Sequence, residues 1–192
     1  MTTTRESALE ALTGRVSPHS AEHCRAVAKA AEELARRYGV DPDQAWLAGL
    51  LHDWAHDESA NELLAQAAQL GLEIAPIDHD VPYLLHARVA RAELSSAMPD
   101  LSPAVLDAIE RHTLGSPEMT DLDMCVYVAD MIEPARRFDG VDALRESVFA
   151  VSLFHLYARA YAASLSHLLV AGKYIHPSSV QAWNAIVAEE RR

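Results

Sequence analysis

The segment Leu50-Leu51-His52-Asp53-Trp54-Ala55-His56 joins the end of an apolar run to two candidate metal ligands. A histidine and an aspartate stand side by side in it, at the end of an apolar run over residues 45–51. A carboxylate can bridge two cations while the imidazole beside it binds one of them. The pair is therefore a candidate part of a two-metal site. Such a site requires further His and Asp side chains that lie close to this pair in the fold.

The stretches around this pair carry the start signals of helices. Ser17-Pro18, Asp41-Pro42 and Ser102-Pro103 each place a capping side chain before a proline suited to the first helical position. Apolar residues recur at helical spacing after these starts, and no alternating strand pattern occurs. These signals predict an all-α fold. Helices are expected over residues 18–39, 42–53, 60–70, 82–98, 103–112, 122–132 and 141–170 and after Ser178, with loops over 72–81 and 113–121.

Length and composition predict one domain over residues 1–192. Half of the 192 residues are apolar, which suffices to bury a sizeable core. The first residues lack a signal segment, and no run approaches the roughly 18 apolar residues of a membrane span. The two cysteines, Cys24 and Cys125, have no paired spacing, which fits a reducing compartment. We therefore expect a cytoplasmic protein that does not engage a membrane.

The charge balance bears on the class of partner. The formal net charge is -12, from 16 basic and 28 acidic residues. Nucleic-acid binding draws its affinity from basic residues that neutralise phosphates, so this balance argues against a DNA or RNA partner. A small polyanionic substrate stays compatible, because bound metal ions can supply positive charge. The ten histidines are a weak indication of metal.

Four residues outside the central pair are candidate metal ligands. His23, His86 and His112 could each be explained individually as structural histidines. Asp130 ends the apolar run over residues 126–129, where an acid is costly to bury unless it is paired or bound to a cation. Taken in order with His52-Asp53, these residues resemble the H…HD…H…H…D series of the HD-domain metal-dependent phosphohydrolases.

Local strings narrow the resemblance to the YqeK-type symmetrical bis(5'-nucleosyl)-tetraphosphatases within that superfamily. It extends over about residues 15–185. The strings that carry it are Ala48-Gly49-Leu50-Leu51-His52-Asp53, Leu84-Leu85-His86-Ala87, Arg111-His112-Thr113-Leu114-Gly115 and the block over residues 122–141, which includes Ile132-Glu133-Pro134.

The resemblance implies a two-metal centre that hydrolyses diadenosine tetraphosphate to two ADP. Asp53 would bridge the ions, with His23, His52 and Asp130 around one of them and His86 and His112 around the other. Asp53 and Asp130 are accordingly the expected catalytic residues. The resemblance implies iron, although imidazole and carboxylate ligands without thiolate suit manganese as well. His19 is a competing candidate for the first ligand, but the apolar run that follows keeps the family's offset from His23.

Four residues are candidates for contact with a nucleotide substrate. Arg136 could bind phosphate through its guanidinium or form a surface salt bridge instead. His56 stands where the family commonly has a lysine, and it is either a phosphate contact or a partly exposed histidine. Thr113 and Gly115 lie on the loop after His112, where they could shape the pocket.

Two alternative functions stay open on the sequence alone. One is a phosphohydrolase of the same superfamily that acts on another nucleotide, which the departure at His56 allows. The other is a helical interaction module without catalysis, which would have no need of buried acids and histidines. A homodimer is a candidate assembly. Metal content distinguishes a hydrolase from an interaction module.

Overall fold

A computed structural model describes residues 3–148 and 150–191 of the chain. These residues form eleven α-helices and one 3-10 turn, and they contain no β-strand, which confirms the all-α prediction. None of the described helices is long and apolar enough to cross a membrane. The helices are α1 (Arg5–Arg15), α2 (Pro18–Tyr38), α3 (Pro42–Leu51), α4 (Ala60–Gln69), α5 (Pro76–Asp80), α6 (His86–Ala97), α7 (Pro103–Arg111), α8 (Asp121–Ile132), α9 (Val141–Ser147), α10 (Leu153–Val170) and α11 (Pro177–Glu190).

The three Ser-Pro and Asp-Pro signals begin helices as predicted. The Ser17 side chain accepts a hydrogen bond from the backbone N–H of Ser20 at the start of α2. Asp41 caps α3 in the same way, and Ser102 caps α7. Each cap satisfies a backbone donor that the first turn of a helix leaves unpaired. Because this stabilisation is local, the sequence alone was sufficient to predict these three starts.

Helix α8 lies at the centre of the fold. It packs against α2, α3, α7 and α10, and most of its side chains are buried. Helices α2 and α3 also pack closely on each other, because Gly49 has no side chain at their contact. A Cβ atom at Gly49 would lie 3.0 Å from the backbone Cα of Ala28. The ends of α3 and α8 are thereby brought to the N-terminal half of α2.

The first and last helices differ from the sequence prediction. Helix α1 was not predicted, because it buries only Ala8 and Leu12 and so shows little periodicity. It is held by a capping box at Thr4 and by ion pairs from Arg5. The prediction that Ser178 caps the last helix is wrong. The cap is His176, whose Nδ1 accepts from the Ser178 N–H.

Three internal boundaries also differ. Residues 76–80 form the short helix α5 within the predicted loop 72–81, because the Asp78 carboxylate accepts from the Ala75 N–H. Residues 82–85 form a 3-10 turn, so that α6 begins at His86 rather than at Pro82. The single helix predicted over residues 141–170 is two helices, since the side chain of Ser152 caps a new start at α10.

Two glycine-to-alanine substitutions should test the contact between α2 and α3. We expect Gly49→Ala to lower the free energy of unfolding by about 1–2 kcal/mol, because the added methyl group overpacks against the Ala28 backbone. Gly14→Ala is the matched control, since nothing lies within 4 Å of its Cβ position on α1. It should raise stability by up to about 1 kcal/mol through helix propensity. Urea unfolding measures both, and equal effects at the two sites would contradict the close contact.

Candidate metal centre

The structure brings the six predicted metal ligands to one place. His23 lies in the second turn of α2, and His52-Asp53 follow the last turn of α3. His86 begins α6, His112 follows α7, and Asp130 lies in the last turns of α8. Two groups of donor atoms could each hold an ion, because the atoms within each group lie within 4.8 Å of one another. One group is His23, His52 and Asp130, and the other is His52, Asp53 and His112.

The carboxylate of Asp53 lies between two pairs of histidines. Its Oδ1 atom is 3.3 Å from Nε2 of His86 and 3.5 Å from Nε2 of His112. Its Oδ2 atom is 3.4 Å from Nε2 of His52 and 3.7 Å from Nε2 of His23. Each oxygen of one carboxylate thus faces two imidazoles. This arrangement could place one cation on either side of Asp53.

Asp130 adds a second carboxylate on one side only. Its Oδ1 atom is 3.1 Å from Nε2 of His23 and 3.9 Å from Nε2 of His52. The two sides of Asp53 are therefore unequal. One has two imidazoles and a further carboxylate, and the other has the imidazoles of His86 and His112.

Three of the histidines are oriented by the backbone of their own turn. In each of them Nδ1 donates to the carbonyl oxygen three residues earlier, with nitrogen–oxygen distances of 2.8 Å for His52, 2.5 Å for His86 and 2.7 Å for His112. A hydrogen bond of this kind fixes which ring nitrogen carries the proton. The lone pair of Nε2 is then left to face the centre, as metal coordination requires.

Several of these nitrogen atoms have no hydrogen-bond partner in the protein. The Nε2 atoms of His23 and His52 are buried and unpaired. Those of His86 and His112 face each other at 3.1 Å, where two lone pairs would repel. Buried polar atoms are nearly always satisfied, so the unpaired set requires a proton or a cation. Four imidazoles and two carboxylates directed at one space suit transition-metal ions.

The charges of the metal-free chain are consistent with a cation site. Burial alone would raise the pKa of Asp53, but the facing charge of His52 and the close contacts with His112 and His86 hold it well below the usual carboxyl range. Burial would lower the pKa of His52, yet the Asp53 carboxylate raises it well above its ordinary value. Burial would also raise the pKa of Asp130, but the contact with His23 and the nearby positive charges of His52 and Arg136 hold it below the usual carboxyl range. Both carboxylates are therefore ionised and available to a metal ion.

Arg136 contacts the cluster through Asp130. Its Nη2 atom forms an ion pair with the Asp130 carboxylate, and its Nε atom donates to the Asp130 carbonyl oxygen at 2.9 Å. The salt bridge considered from the sequence is thus present, although its partner belongs to the cluster. The side chain of Arg136 is 42% exposed, so part of the guanidinium faces solvent. Its contact with a phosphate stays a prediction.

The other predicted substrate contacts lie at different depths. The Thr113 hydroxyl is 2.9 Å from Nε2 of His112 and 3.2 Å from Nε2 of His86, within the cluster. His56 is exposed, and its ring centroid lies 5.4 Å from that of His86. His56 therefore borders the centre from the solvent side. The roles of both residues towards a substrate stay predictions.

Gly115 has a packing reason to be glycine. Its φ angle is +70°, which disfavours other residues, and a Cβ atom there would lie 2.8 Å from the ring of Tyr161. The Tyr161 hydroxyl donates to the carbonyl oxygen of Leu114 at 2.6 Å and so holds the same loop. These contacts explain the residue without a substrate, and a substrate role for Gly115 stays a prediction.

Sequence reasoning did not identify Glu133 as a neighbour of the cluster. Its side chain is buried, with Oε1 at 3.4 Å from Nδ1 of His23 and Oε2 accepting from the Ala135 N–H. The signal was an acid between an apolar helix end and Pro134. His19, the competing candidate for the first ligand, is exposed and belongs to neither donor group.

Comparisons with known proteins agree with this geometry. A model of the HD domain matches residues 20–135. The symmetrical bis(5'-nucleosyl)-tetraphosphatase of Bacillus subtilis (strain 168) is 37% identical over 142 residues, which cover 74% of this chain and 76% of that protein. The protein of the same name from Halalkalibacterium halodurans is 28% identical over 187 residues, covering 97% of this chain and 99% of that one.

A solved structure extends the agreement to the fold. The crystal structure of a predicted HD superfamily hydrolase involved in NAD metabolism, from Clostridium acetobutylicum, matches with a TM-score of 0.91 and 28% identity. The match covers 98% of this chain and all of that chain. The chain belongs to the HD domain family and, within it, to the YqeK-type symmetrical bis(5'-nucleosyl)-tetraphosphatases.

Proposed function

We propose that this protein hydrolyses dinucleoside tetraphosphates at the central phosphoanhydride and releases two nucleoside diphosphates. The observation that carries the proposal is the Asp53 carboxylate, whose two oxygens each face two imidazoles. The substrate class comes from the named activity of the B. subtilis and H. halodurans relatives. In the reaction, the oxygen of water bonds to one central phosphorus and the bond from that phosphorus to the bridging oxygen breaks. The hydrogen atoms of water are shared between the two products as acidic protons or released to solvent.

We propose that this donor set holds two metal ions, and that they are iron, with manganese as the alternative. When bound, such ions activate water and neutralise phosphate oxygens. The protein supplies the orientation of the ligands. Asp53 would lie between the two ions, and Asp130 would complete the ligands of one of them. Neither a nucleophilic serine nor a nucleophilic cysteine is required in this reaction, and Cys24 is buried as a packing residue.

We assign the recognition of phosphate to Arg136 and residues near the mouth of the centre. The Nε atom of Arg136 is anchored on the Asp130 carbonyl oxygen, so the rest of the guanidinium can meet a phosphate without losing its position. His56 stands on the solvent side of His86 and could meet a second phosphate as a neutral or charged group. Thr113 is close enough to His86 and His112 to hydrogen-bond a group bound there.

One residue, His56, leaves room for a different nucleotide substrate, although the block over residues 122–141 argues against it. His56 replaces the lysine that the family commonly has, and the loss of a fixed charge could shift preference to another nucleotide.

We further propose a cytoplasmic location, one domain over the whole chain, no nucleic-acid partner and a homodimer as the candidate assembly. The interaction-module alternative is disfavoured by the convergence of four imidazoles and two carboxylates, in which Nε2 of His23 and Nε2 of His52 are buried without a hydrogen-bond partner.

Product analysis tests the proposed reaction. Iron-loaded protein incubated with diadenosine tetraphosphate should yield two ADP for each substrate molecule, as separated by ion-exchange chromatography. ATP plus AMP would keep the hydrolase and refute central cleavage. Metal-loaded protein without turnover would favour another nucleotide, and protein that binds neither iron nor manganese would favour the interaction module.

A further inference from the structure

A large groove runs along α2 outside the metal centre. Its volume is about 1490 Å³, above the roughly 300–1,000 Å³ of typical small-molecule sites. One wall is the face of α2 that carries Ala26, Lys29 and Ala30, and the opposite wall belongs to residues 132–148. Nothing in the arrangement of the metal ligands accounts for this space.

Both walls of the groove present apolar side chains. Ala26, Ala30, Ile132 and Phe138 are half-buried and present apolar surface to the groove. The ring of Phe138 suits the flat face of a nucleobase, because aromatic side chains stack on bases of any identity. The three aliphatic side chains extend the apolar surface beside it. The groove therefore has room and a suitable surface for a nucleoside.

The basic residues of the groove are unusual for this acidic chain. Arg25, Lys29, Arg37 and Arg137 line it, and within the described residues none of them forms an ion pair with a carboxylate. Arg25 donates to the Thr13 hydroxyl, and Arg137 donates to backbone carbonyl oxygens. Most other arginines of the chain do have a carboxylate partner; examples are Arg15, Arg36, Arg88 and Arg111.

Carboxylates also line the groove, but the balance differs from that of the whole protein. Glu22, Glu33, Asp139 and Asp142 lie there, and Asp142 is already paired with Arg145. Against a chain with 16 basic and 28 acidic residues, the groove holds more cations than anions. Unpaired cations beside an apolar wall match a nucleoside joined to phosphates.

Two segments of the chain contribute residues both to the groove and to the metal centre. On α2, His23 belongs to the cluster while its neighbours Glu22 and Ala26 line the groove. After α8, Arg136 pairs with Asp130 while the next residue, Arg137, lines the groove. These two segments place the groove next to the cluster, on the side of His23 and Arg136.

We propose that this groove binds the second nucleoside diphosphate half of the substrate, the half that leaves when the central bond breaks. The inference rests on the proposed function. With the central phosphoanhydride at the cluster, one half of the substrate must extend away from Asp53. Its phosphates meet Lys29 and Arg137, and its base packs on Phe138. Central cleavage thus follows from two binding regions on either side of the reacting phosphorus.

Equilibrium binding tests the groove independently of turnover. The probe is diadenosine tetraphosphate with a methylene group in place of the central bridging oxygen, titrated calorimetrically into metal-loaded protein. Lys29→Glu and Phe138→Ala should each weaken binding about tenfold, or about 1.4 kcal/mol, with metal content unchanged. Lys173→Glu is the matched control, since Lys173 lies on the turn after α10, is exposed and forms no described ion pair. It should bind as the unsubstituted chain does.

Each result decides between the two proposals. Unchanged affinity in both Lys29→Glu and Phe138→Ala would overturn the groove while the hydrolase stands. Groove-dependent binding without hydrolysis of the oxygen-bridged substrate would overturn the proposed function and keep the groove. Failure of the unsubstituted, metal-loaded chain to bind the probe would overturn the groove. Phe138 packs against the core, so Lys29→Glu keeps the test valid if Phe138→Ala fails to fold.

Discussion

Replacement of Asp53 by alanine should abolish both metal binding and hydrolysis. Its carboxylate is the only one that faces all four histidines of the cluster in the described chain. Without it, two groups of imidazoles would face each other with nothing between them to hold two ions together. We expect a fall in kcat/KM on the order of 10⁴-fold, comparable to removal of an essential catalytic group. Metal analysis and product assays on the same preparation measure both effects.

Two further variants sharpen this test. Asp53→Asn keeps the shape of the side chain but removes its charge, so loss of metal in a folded Asn variant would separate charge from packing. Asp80→Ala is the control, since Asp80 is an exposed aspartate on α5 with no described partner. It should keep metal and activity. An active Asp53→Ala protein with its full complement of metal would contradict the two-metal hypothesis.

Asp123→Asn should be strongly destabilising. Asp123 is 1% exposed, and it accepts hydrogen bonds from the Thr120 N–H at 2.9 Å and from Arg111 at 2.8 Å. Removal of its charge leaves the guanidinium of Arg111 without its buried counter-ion. We expect the free energy of unfolding to fall by about 3 kcal/mol, as when one partner of a buried ion pair is removed. Urea unfolding of the metal-free protein measures the change.

An exposed aspartate in a similar setting provides the control. Asp142 lies in the first turn of α9 and pairs with Arg145, but its side chain is 85% exposed. Asp142→Asn should cost less than about 1 kcal/mol, because water screens a surface ion pair. Similar losses for the two substitutions would show that burial does not set the strength of the Asp123 pair.

The sequence predicted the helix starts that depend on local caps and missed those that depend on packing. Ser17, Asp41 and Ser102 each satisfy a backbone donor within their own turn, so their effect is visible in the sequence. The break between α9 and α10 was missed because apolar residues continue at most turns through it. Helix α1 was missed because two buried residues give too weak a pattern.

In the candidate site, the sequence likewise predicted the ligand residues but not the contacts that depend on the packing of helices. The six ligand residues were predicted from their order and from the resemblance, and the structure brings them together. The ion pair between Arg136 and Asp130 and the burial of Glu133 against His23 could not be deduced, because they depend on the packing of α8 on α2. The large groove also depends on this arrangement, since residues far apart in sequence form its two walls.

The hydrogen bonds from His52, His86 and His112 to their own turns have a consequence for how the protein acquires its cofactor. Each ring is oriented by a carbonyl oxygen three residues earlier, so its aim does not depend on an ion being present. We expect a pocket that is prepared in this way to take up an ion without refolding of the chain. Its occupant should then depend on the supply of metals in the surrounding solution as well as on their affinity for imidazole and carboxylate ligands.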